Sequence, residues 1–125
     1  MKFLILDDDR ATKKLFETYF KHLKYDDFDS FGDPEKAIEA YFQKEYDLII
    51  TDLQMPKMDG ITFLKKLNDI NAQQQRKKSY VVVVTGSIVE SIKQKCIEQG
   101  CDEFLIKPVR MKNFMEVLEN YQAQK

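Results

Sequence analysis

Residues 47–60, with the sequence DLIITDLQMPKMDG, join a short apolar run to an acidic segment that contains one proline and one glycine. The run at residues 47–51 lacks the polar alternation of a strand with one wet face, which predicts a strand buried on both faces. Similar runs occur at residues 2–6, 80–85 and 103–106. Longer segments with helical periodicity separate these runs, and this alternation is typical of a parallel sheet covered by helices on both faces.

The other elements complete a doubly wound α/β fold. A fifth run, residues 27–31, carries several polar residues and therefore fits only as an edge strand. The pair Asp33-Pro34 predicts the start of the helix that follows it. Ser87 and Glu90 have the spacing of a capping box and predict the start of a later helix that ends at Gly100. The polar stretch at residues 71–78 is interpreted as a loop.

The composition limits the class of protein and its partners. With 125 residues, of which 43% are hydrophobic and 33% charged, the chain fits one globular domain over residues 1–125, without an effector domain. The formal net charge of -1 gives no basis for binding nucleic acid or an anionic membrane. The apolar run before the first acidic cluster is too short for a signal peptide or a membrane span, so we expect a cytoplasmic protein.

Polar side chains follow nearly every predicted strand. In parallel sheets, ligands bind beyond the carboxyl ends of the strands, so these side chains are candidates for one shared site. They are Asp7, Asp8 and Asp9 after the first strand, Asp52 after the third, Thr85 at the end of the fourth and Lys107 after the fifth. Clustered carboxylates need a cation, and Mg²⁺, or Mn²⁺ in its place, suits acidic oxygens. A metal, an ammonium and a hydroxyl around one carboxylate form an arrangement for phosphoryl transfer.

Four separated segments resemble the receiver domain of two-component response regulators, the CheY-like family. They are LDDD at residues 6–9, TDLQMPKMDG at residues 51–60, Thr85-Gly86 and Lys107-Pro108, and together they extend over nearly the whole chain. The resemblance implies a flavodoxin-like three-layer sandwich whose five-stranded parallel sheet has the strand order 2-1-3-4-5.

For the site, the resemblance implies that Asp52 accepts a phosphoryl group from a phosphohistidine on a histidine kinase or a histidine phosphotransfer protein. Asp8 corresponds to the main metal-binding carboxylate and Asp7 to the carboxylate that holds a metal-bound water. The Gln54 backbone carbonyl and Asp52 itself complete the implied ligand set. Asp9 falls just outside this set.

Three further positions concern the switch between two states. Thr85 corresponds to the hydroxyl that bonds one phosphoryl oxygen, and Lys107 to the ammonium that pairs with another. The Lys107-Pro108 peptide bond is often cis in the family. Phe104 stands at the switch position on the fifth strand, where tyrosine is frequent, so it has no hydroxyl to bond when buried. Core packing is the alternative interpretation of Phe104.

We therefore predict a stand-alone phosphoacceptor rather than a conventional enzyme, in which the domain itself largely catalyses phosphoryl transfer and later autodephosphorylation. Phosphorylation is expected to alter the surface formed by the fourth helix, fifth strand and fifth helix, and so the binding of a downstream target protein. Two alternatives remain open. Residues 7–12 superficially resemble the nucleophile loop of haloacid-dehalogenase-type phosphohydrolases, with Asp7 as the nucleophile. The other alternative is a receiver-like interaction module that is never phosphorylated.

Overall fold

Strands and helices alternate strictly along the chain, as the apolar runs predict. The computed structural model describes residues 1–124, in which five strands and five helices follow one another. Their bounds are β1 Phe3–Leu6, α1 Arg10–His22, β2 Phe28–Phe31, α2 Pro34–Gln43, β3 Leu48–Asp52, α3 Gly60–Gln74, β4 Tyr80–Thr85, α4 Glu90–Glu98, β5 Glu103–Ile106 and α5 Met111–Ala123. Lys125, the last residue of the predicted domain 1–125, lies outside the described residues.

The strands form one parallel sheet with the order β2-β1-β3-β4-β5. The predicted doubly wound α/β fold is therefore confirmed. Every residue of β1, β3 and β4 is buried, because these strands have neighbours on both sides and helices on both faces. β5 is an edge strand, and Ile106 at its end is 48% exposed. The prediction that β5 is buried on both faces was therefore wrong.

Two hydrophobic cores lie on opposite faces of the sheet. Helices α1 and α5 cover one face, and α2, α3 and α4 cover the other. Aromatic rings dominate the α1–α5 side: the centroids of Phe3 and Phe20 lie 4.5 Å apart in a stacked pair, and Phe16 meets Phe114 edge to face at 5.5 Å. Burying one such side chain contributes about 1.5–3 kcal/mol. The cores hold the sheet from both faces and leave the carboxyl ends of the strands available for a site.

Two predicted helix ends are confirmed. Asp33 caps α2 by accepting a hydrogen bond of 3.0 Å from the Glu35 amide, and Pro34 occupies the first turn. Gly100 follows α4 with a φ of 91°, a backbone conformation that glycine adopts without strain.

Two other local predictions were wrong. The capping box of Ser87 and Glu90 does not form: α4 begins at Glu90, its N-cap is Val89, and no side chain caps it. The interpretation of residues 71–78 as a loop fails for their first half, because α3 extends to Gln74. Asn71 contributes to that extension, since its side chain accepts a 2.7 Å hydrogen bond from the Tyr41 hydroxyl.

None of the helices within residues 1–124 combines the length and apolar character needed to cross a membrane. Cys96 and Cys101 are both buried and unbridged.

Candidate active site

Asp7 and Asp52 emerge next to each other at the carboxyl edge of the sheet. β1 and β3 pair in parallel with Leu6 opposite Thr51, so the residues that follow this pair are neighbours. Asp7, Asp8 and Asp52 each offer one carboxylate oxygen, and these oxygens lie within 4.8 Å of one another. Asp7 is 2% exposed and Asp52 is 8% exposed, whereas Asp8 faces solvent. The structure thus brings together three of the predicted acidic residues.

Lys107 adds a positive charge from the segment after β5. Its Nζ lies 3.0 Å from Asp7 Oδ2 and 3.5 Å from Asp52 Oδ2. Its backbone amide donates to the Thr85 carbonyl at 2.8 Å, and its peptide bond to Pro108 is cis, as the resemblance implied. Burial lowers the pKa of Lys107, but the bonds and charges of the two carboxylates more than offset this. The pKa of Lys107 therefore lies above its ordinary value, and the side chain is charged at neutral pH.

The charge of Asp7 is poorly compensated. Burial raises the pKa of Asp7 above its ordinary value, and the charge of Asp52 acts in the same direction. The Asp9 amide donates a 2.8 Å hydrogen bond to Asp7 Oδ1, and together with Lys107 it counters this only in part. Three carboxylates beside one ammonium leave two negative charges in a small space. Such a charge and a set of oxygen donors fit a hard dication such as Mg²⁺ or Mn²⁺.

Asp9 has a different role from the two aspartates before it. Its side chain caps α1, accepting hydrogen bonds from the Thr12 hydroxyl at 2.8 Å and from the Ala11 amide at 3.1 Å. These bonds hold the pKa of Asp9 below its ordinary value. The third aspartate therefore belongs to the helix start, in agreement with its expected place outside the ligand set.

Thr85 ends β4 at the same edge of the sheet. It follows Val84, which is paired with Asp52, and it is 5% exposed. Its Oγ1 donates to the Ser87 carbonyl at 2.9 Å and lies 3.4 Å from the Ser87 amide nitrogen. The hydroxyl is thus bonded within the β4–α4 connection.

A close approach of α3 to β3 shapes the loop that contains Gln54. The Gly60 amide donates to the Leu53 carbonyl at 2.7 Å. A Cβ at residue 60 would lie 2.8 Å from the Asp52 backbone oxygen, so only glycine allows the helix to start here. Gln54 lies in this loop and is exposed. In the sequence, Gly60 stood out only as the last residue of the segment TDLQMPKMDG at residues 51–60, and its part in this close approach was not predicted.

Phe104 lies away from the edge where the other candidates meet. It pairs with Val83, two residues before Thr85, and packs half-buried against the core formed by α2, α3 and α4. Lys93 Nζ lies 5.8 Å from the centroid of its ring. This environment agrees with core packing, and the switch role of Phe104 stays a prediction.

Known proteins similar to this chain contain receiver domains. The family model of the response regulator receiver domain matches residues 3–119. Hybrid signal transduction histidine kinase B of Dictyostelium discoideum is 34% identical over 122 residues, which cover 91% of this chain and 6% of the kinase. The probable chemotaxis protein CheY of Rhizobium etli is 27% identical over 119 residues, which cover 95% of this chain and 90% of that protein. The chain therefore spans nearly all of one relative and a small part of the other.

Solved structures share the fold. The receiver domain of sensor histidine kinase PA1611 from Pseudomonas aeruginosa PAO1, which has a magnesium ion coordinated in its active site cleft, matches with a TM-score of 0.82 at 20% identity, covering 98% of this chain and 97% of that one. A chain of the co-crystal structure of the Saccharomyces cerevisiae histidine phosphotransfer signaling protein Ypd1 and the Ssk1 receiver domain matches with a TM-score of 0.89 at 21% identity, covering 98% and 89% of the two chains. At these identities the likeness shows the fold alone.

Proposed function

The chain belongs to the response regulator receiver domain family of two-component systems, and on that basis we propose that it accepts a phosphoryl group from a phosphohistidine onto Asp52. One geometric observation carries the proposal. Carboxylate oxygens of Asp7, Asp8 and Asp52 lie within 4.8 Å of one another, and Lys107 Nζ lies within 3.5 Å of two of these side chains. Phosphoryl transfer depends mostly on positioning and charge neutralisation, and this cluster has residues suited to both.

Mg²⁺, or Mn²⁺ in its place, would be held by Asp7, Asp8, Asp52 and the Gln54 backbone carbonyl. When bound, the ion supplies positive charge that offsets the phosphoryl oxygens. Asp8 is exposed, and within residues 1–124 its carboxylate makes no hydrogen bond or ion pair, so it is available as a ligand. The magnesium ion in the PA1611 receiver domain supports the same choice of metal.

The transfer step forms a bond between an Asp52 carboxylate oxygen and phosphorus. The bond between phosphorus and the donor imidazole nitrogen breaks, and the imidazole keeps the electron pair. Lys107, which is already next to Asp52 Oδ2, offsets charge on the phosphoryl oxygens. The Thr85 hydroxyl leaves the Ser87 carbonyl and donates to one of these oxygens. In autodephosphorylation, water attacks phosphorus, the bond between phosphorus and the Asp52 oxygen breaks, and inorganic phosphate leaves, which restores the Asp52 carboxylate.

A groove beside Lys107 supports a protein as the phosphoryl donor. It has a volume of about 360 Å³ and runs between α1 and the segment after β5. Its apolar lining is formed by Ala11, Leu15, Pro108 and Val109. Asp9, Thr12 and Lys107 complete its lining, so one carboxylate and one ammonium border the apolar residues. A helix with an apolar stripe, carried by a histidine kinase or a histidine phosphotransfer protein, would fit here, and the complex of Ypd1 with the Ssk1 receiver domain supports this class of partner.

The downstream target is proposed to bind the face formed by α4, β5 and α5. Ile106 and Met115 are 48% and 43% exposed on this face, which gives a partner apolar surface to bury. Thr85 and Phe104 would connect the site to it. Phosphorylation would alter this face through these two residues and so change target binding.

Receiver domains occur both alone and within larger proteins among the relatives of this chain. The chain matches CheY over 90% of that protein, but hybrid kinase B over only 6% of its length. Action as a single domain over residues 1–125 without an effector, and a cytoplasmic location, stay predictions.

The hydrolase alternative has less support from the geometry. Asp7, its nucleophile, is 2% exposed, and its two oxygens are bonded to the Asp9 amide and to Lys107. Asp52 Oδ1 likewise accepts a 2.8 Å hydrogen bond, from the Leu53 amide. Asp52 is the better candidate because it is more exposed, at 8%, and its Oδ2 has only the longer contact with Lys107.

Intact-mass measurement after treatment with acetyl phosphate and Mg²⁺ tests the proposal. We expect one phosphoryl group on the unmodified chain, none on Asp52→Asn, and slower modification of Asp7→Asn that still maps to Asp52. Modification of Asp52→Asn but not of Asp7→Asn would support the hydrolase. Failure of the unmodified chain to gain phosphate, or to respond to beryllofluoride, would support an interaction module that is never phosphorylated.

A further inference from the structure

The connection between β4 and α4 contains a helix-start signal that the structure leaves unused. Ser87 and Glu90 have the residue types and spacing of a capping box, which would start the helix at Ile88. α4 instead begins at Glu90 with Val89 as its N-cap, a residue type that caps helices poorly, and no side chain caps it. Its first backbone hydrogen bond runs from the Lys93 amide to the Val89 carbonyl at 2.9 Å.

The Thr85 hydroxyl contacts both backbone groups that Ser87 would need as a cap. It donates to the Ser87 carbonyl at 2.9 Å, and the Ser87 amide nitrogen lies 3.4 Å from the same oxygen. In a capping box, the Ser87 carbonyl would accept the first helical bond, from the Ser91 amide, and the Ser87 amide would donate to the Glu90 carboxylate. The hydroxyl therefore competes with the longer helix for the same two groups.

We propose that the Thr85 hydroxyl is a latch that sets the length of α4. While it holds Ser87, the helix begins at Glu90; when it is released, Ser87 caps a helix that begins at Ile88. Release by phosphorylation rests on the proposed function, in which Thr85 turns toward a phosphoryl group on Asp52. The competition itself does not, because any loss of the hydroxyl frees Ser87.

The proposed lengthening of α4 affects only the N-terminal end of the helix, where exposed residues change conformation. At the other end of α4, the Asn68 side chain donates a 2.9 Å hydrogen bond to the Gln99 carbonyl and holds that end against α3. Ile88 and Val89 are 37% and 58% exposed before the helix begins. In the longer helix they become the first two helical residues, so their side chains point in new directions. A partner that buries these two residues would distinguish the two lengths of α4.

Substitutions at Thr85 test the latch without phosphorylation. Thr85→Val keeps the shape of the side chain and removes the hydroxyl, and Thr85→Ser is the matched control that keeps it. In Thr85→Val we expect the NMR Cα shifts of Ile88 and Val89 to move toward helical values. Amide exchange at Ser91 and Ile92 should slow by about fivefold, the factor that a typical cap provides. Thr85→Ser should resemble the unmodified chain.

Removing the cap provides the second arm. The lengthening should disappear in the double variant Thr85→Val with Ser87→Ala, because this variant lacks the capping side chain. If Thr85→Val does not fold, Thr85→Ala removes the hydroxyl with a smaller side chain. The latch is wrong if Ile88 and Val89 keep non-helical shifts in the folded hydroxyl-free variants, or if the double variant lengthens equally.

A third arm separates the latch from the proposed function. With beryllofluoride and Mg²⁺, the unmodified chain should show the same shifts at Ile88 and Val89. Binding of beryllofluoride without these shifts would overturn the latch. Absence of binding would count against phosphorylation of Asp52, while the result from the Thr85 variants would decide the latch by itself.

Discussion

Lys107 Nζ lies 3.0 Å from Asp7 Oδ2, which is a shorter ion pair than the 3.5 Å contact that the same lysine makes with Asp52. The Lys107 ammonium is thus closer to Asp7, the more deeply buried carboxylate, than to Asp52. Even so, one lysine faces two carboxylates with a third nearby, so the site is suited to binding a cation and is a source of electrostatic repulsion without one.

We expect Asp7→Asn to raise the free energy of unfolding in Mg²⁺-free buffer near neutral pH by roughly 1 kcal/mol, the scale of one buried polar group. Burial and the charge of Asp52 raise the pKa of Asp7, so the folded protein disfavours this charge. A raised carboxyl pKa contributes stability at low pH, and this contribution is lost as the pH rises from the unfolded-state pKa of about 3.9 through the higher folded-state value.

Urea titrations at about pH 4 and about pH 7 test this pH dependence. Asp7→Asn should have a higher free energy of unfolding than the unmodified chain only at the higher pH. Asp26→Asn, at an exposed position, is the control and should change stability by less than about 0.5 kcal/mol. A loss of stability in Asp7→Asn at neutral pH would contradict the prediction.

Mg²⁺ at about 100 times its Kd should raise the free energy of unfolding by about 2.7 kcal/mol, because the folded chain alone presents the clustered carboxylates. Asp8→Asn should abolish most of this gain, since its exposed carboxylate is a proposed ligand. Asp9→Asn is the matched control: asparagine also caps helices, so the response to Mg²⁺ should remain. Urea unfolding with and without Mg²⁺ measures the stabilisation by Mg²⁺ in each variant. If Asp8→Asn and Asp9→Asn lost this stabilisation equally, the result would count against the proposed ligand set.

Asp102 links the starts of β4 and β5. Its Oδ2 accepts hydrogen bonds from the Val81 amide at 2.8 Å and from Lys78 Nζ at 2.6 Å. Asp102→Ala leaves the amide of the buried Val81 without this partner and should lower the free energy of unfolding by about 1–3 kcal/mol. Asp102→Asn keeps an acceptor and should recover most of the loss in urea denaturation. If Lys78→Ala were as destabilising as Asp102→Ala, the surface ion pair rather than the Val81 amide would be the cause.

Both cysteines should resist alkylation in the folded protein. Cys96 is 0% and Cys101 is 8% exposed, and burial raises the pKa of the Cys101 thiol to about 12. Little thiolate is therefore present near pH 8, whereas in the unfolded chain an ordinary thiol pKa of about 8.5 applies. Iodoacetamide labelling followed by mass spectrometry should modify both residues in urea and neither in buffer. Rapid labelling of either one in buffer would contradict their burial.

The sheet was predictable where burial alone determines the sequence. β1, β3 and β4 need apolar residues on both faces, so their positions follow from apolar runs, whereas the strand order came from the family resemblance. The exposure of Ile106 was not predictable from its run, because an apolar residue on an edge strand looks the same in sequence as one in a central strand. Helix α3 continues beyond the last residue of its apolar periodicity. Its final turn is polar and is supported by the hydrogen bond between Tyr41 and Asn71, so hydrophobic periodicity did not predict where the helix ends.

The site was largely predictable because parallel strands end at one edge, so Asp7, Asp52 and Thr85 converge once the sheet is assigned. The start of α4 was not. The capping pattern of Ser87 and Glu90 is present, but a single hydroxyl, that of Thr85, competes for the same backbone groups. Sequence spacing identifies which bonds are possible and does not rank two that exclude each other.

The Asp9 amide that bonds Asp7 belongs to the residue from which α1 begins. A docked protein that tilts this helix would therefore displace the carboxylate and change the affinity for the ion. Thermodynamic linkage makes the effect reciprocal, so the ion would alter the affinity for the docked protein by the same factor. Through the hydrogen bond between these two aspartates, the magnesium concentration would regulate how tightly the docked protein binds.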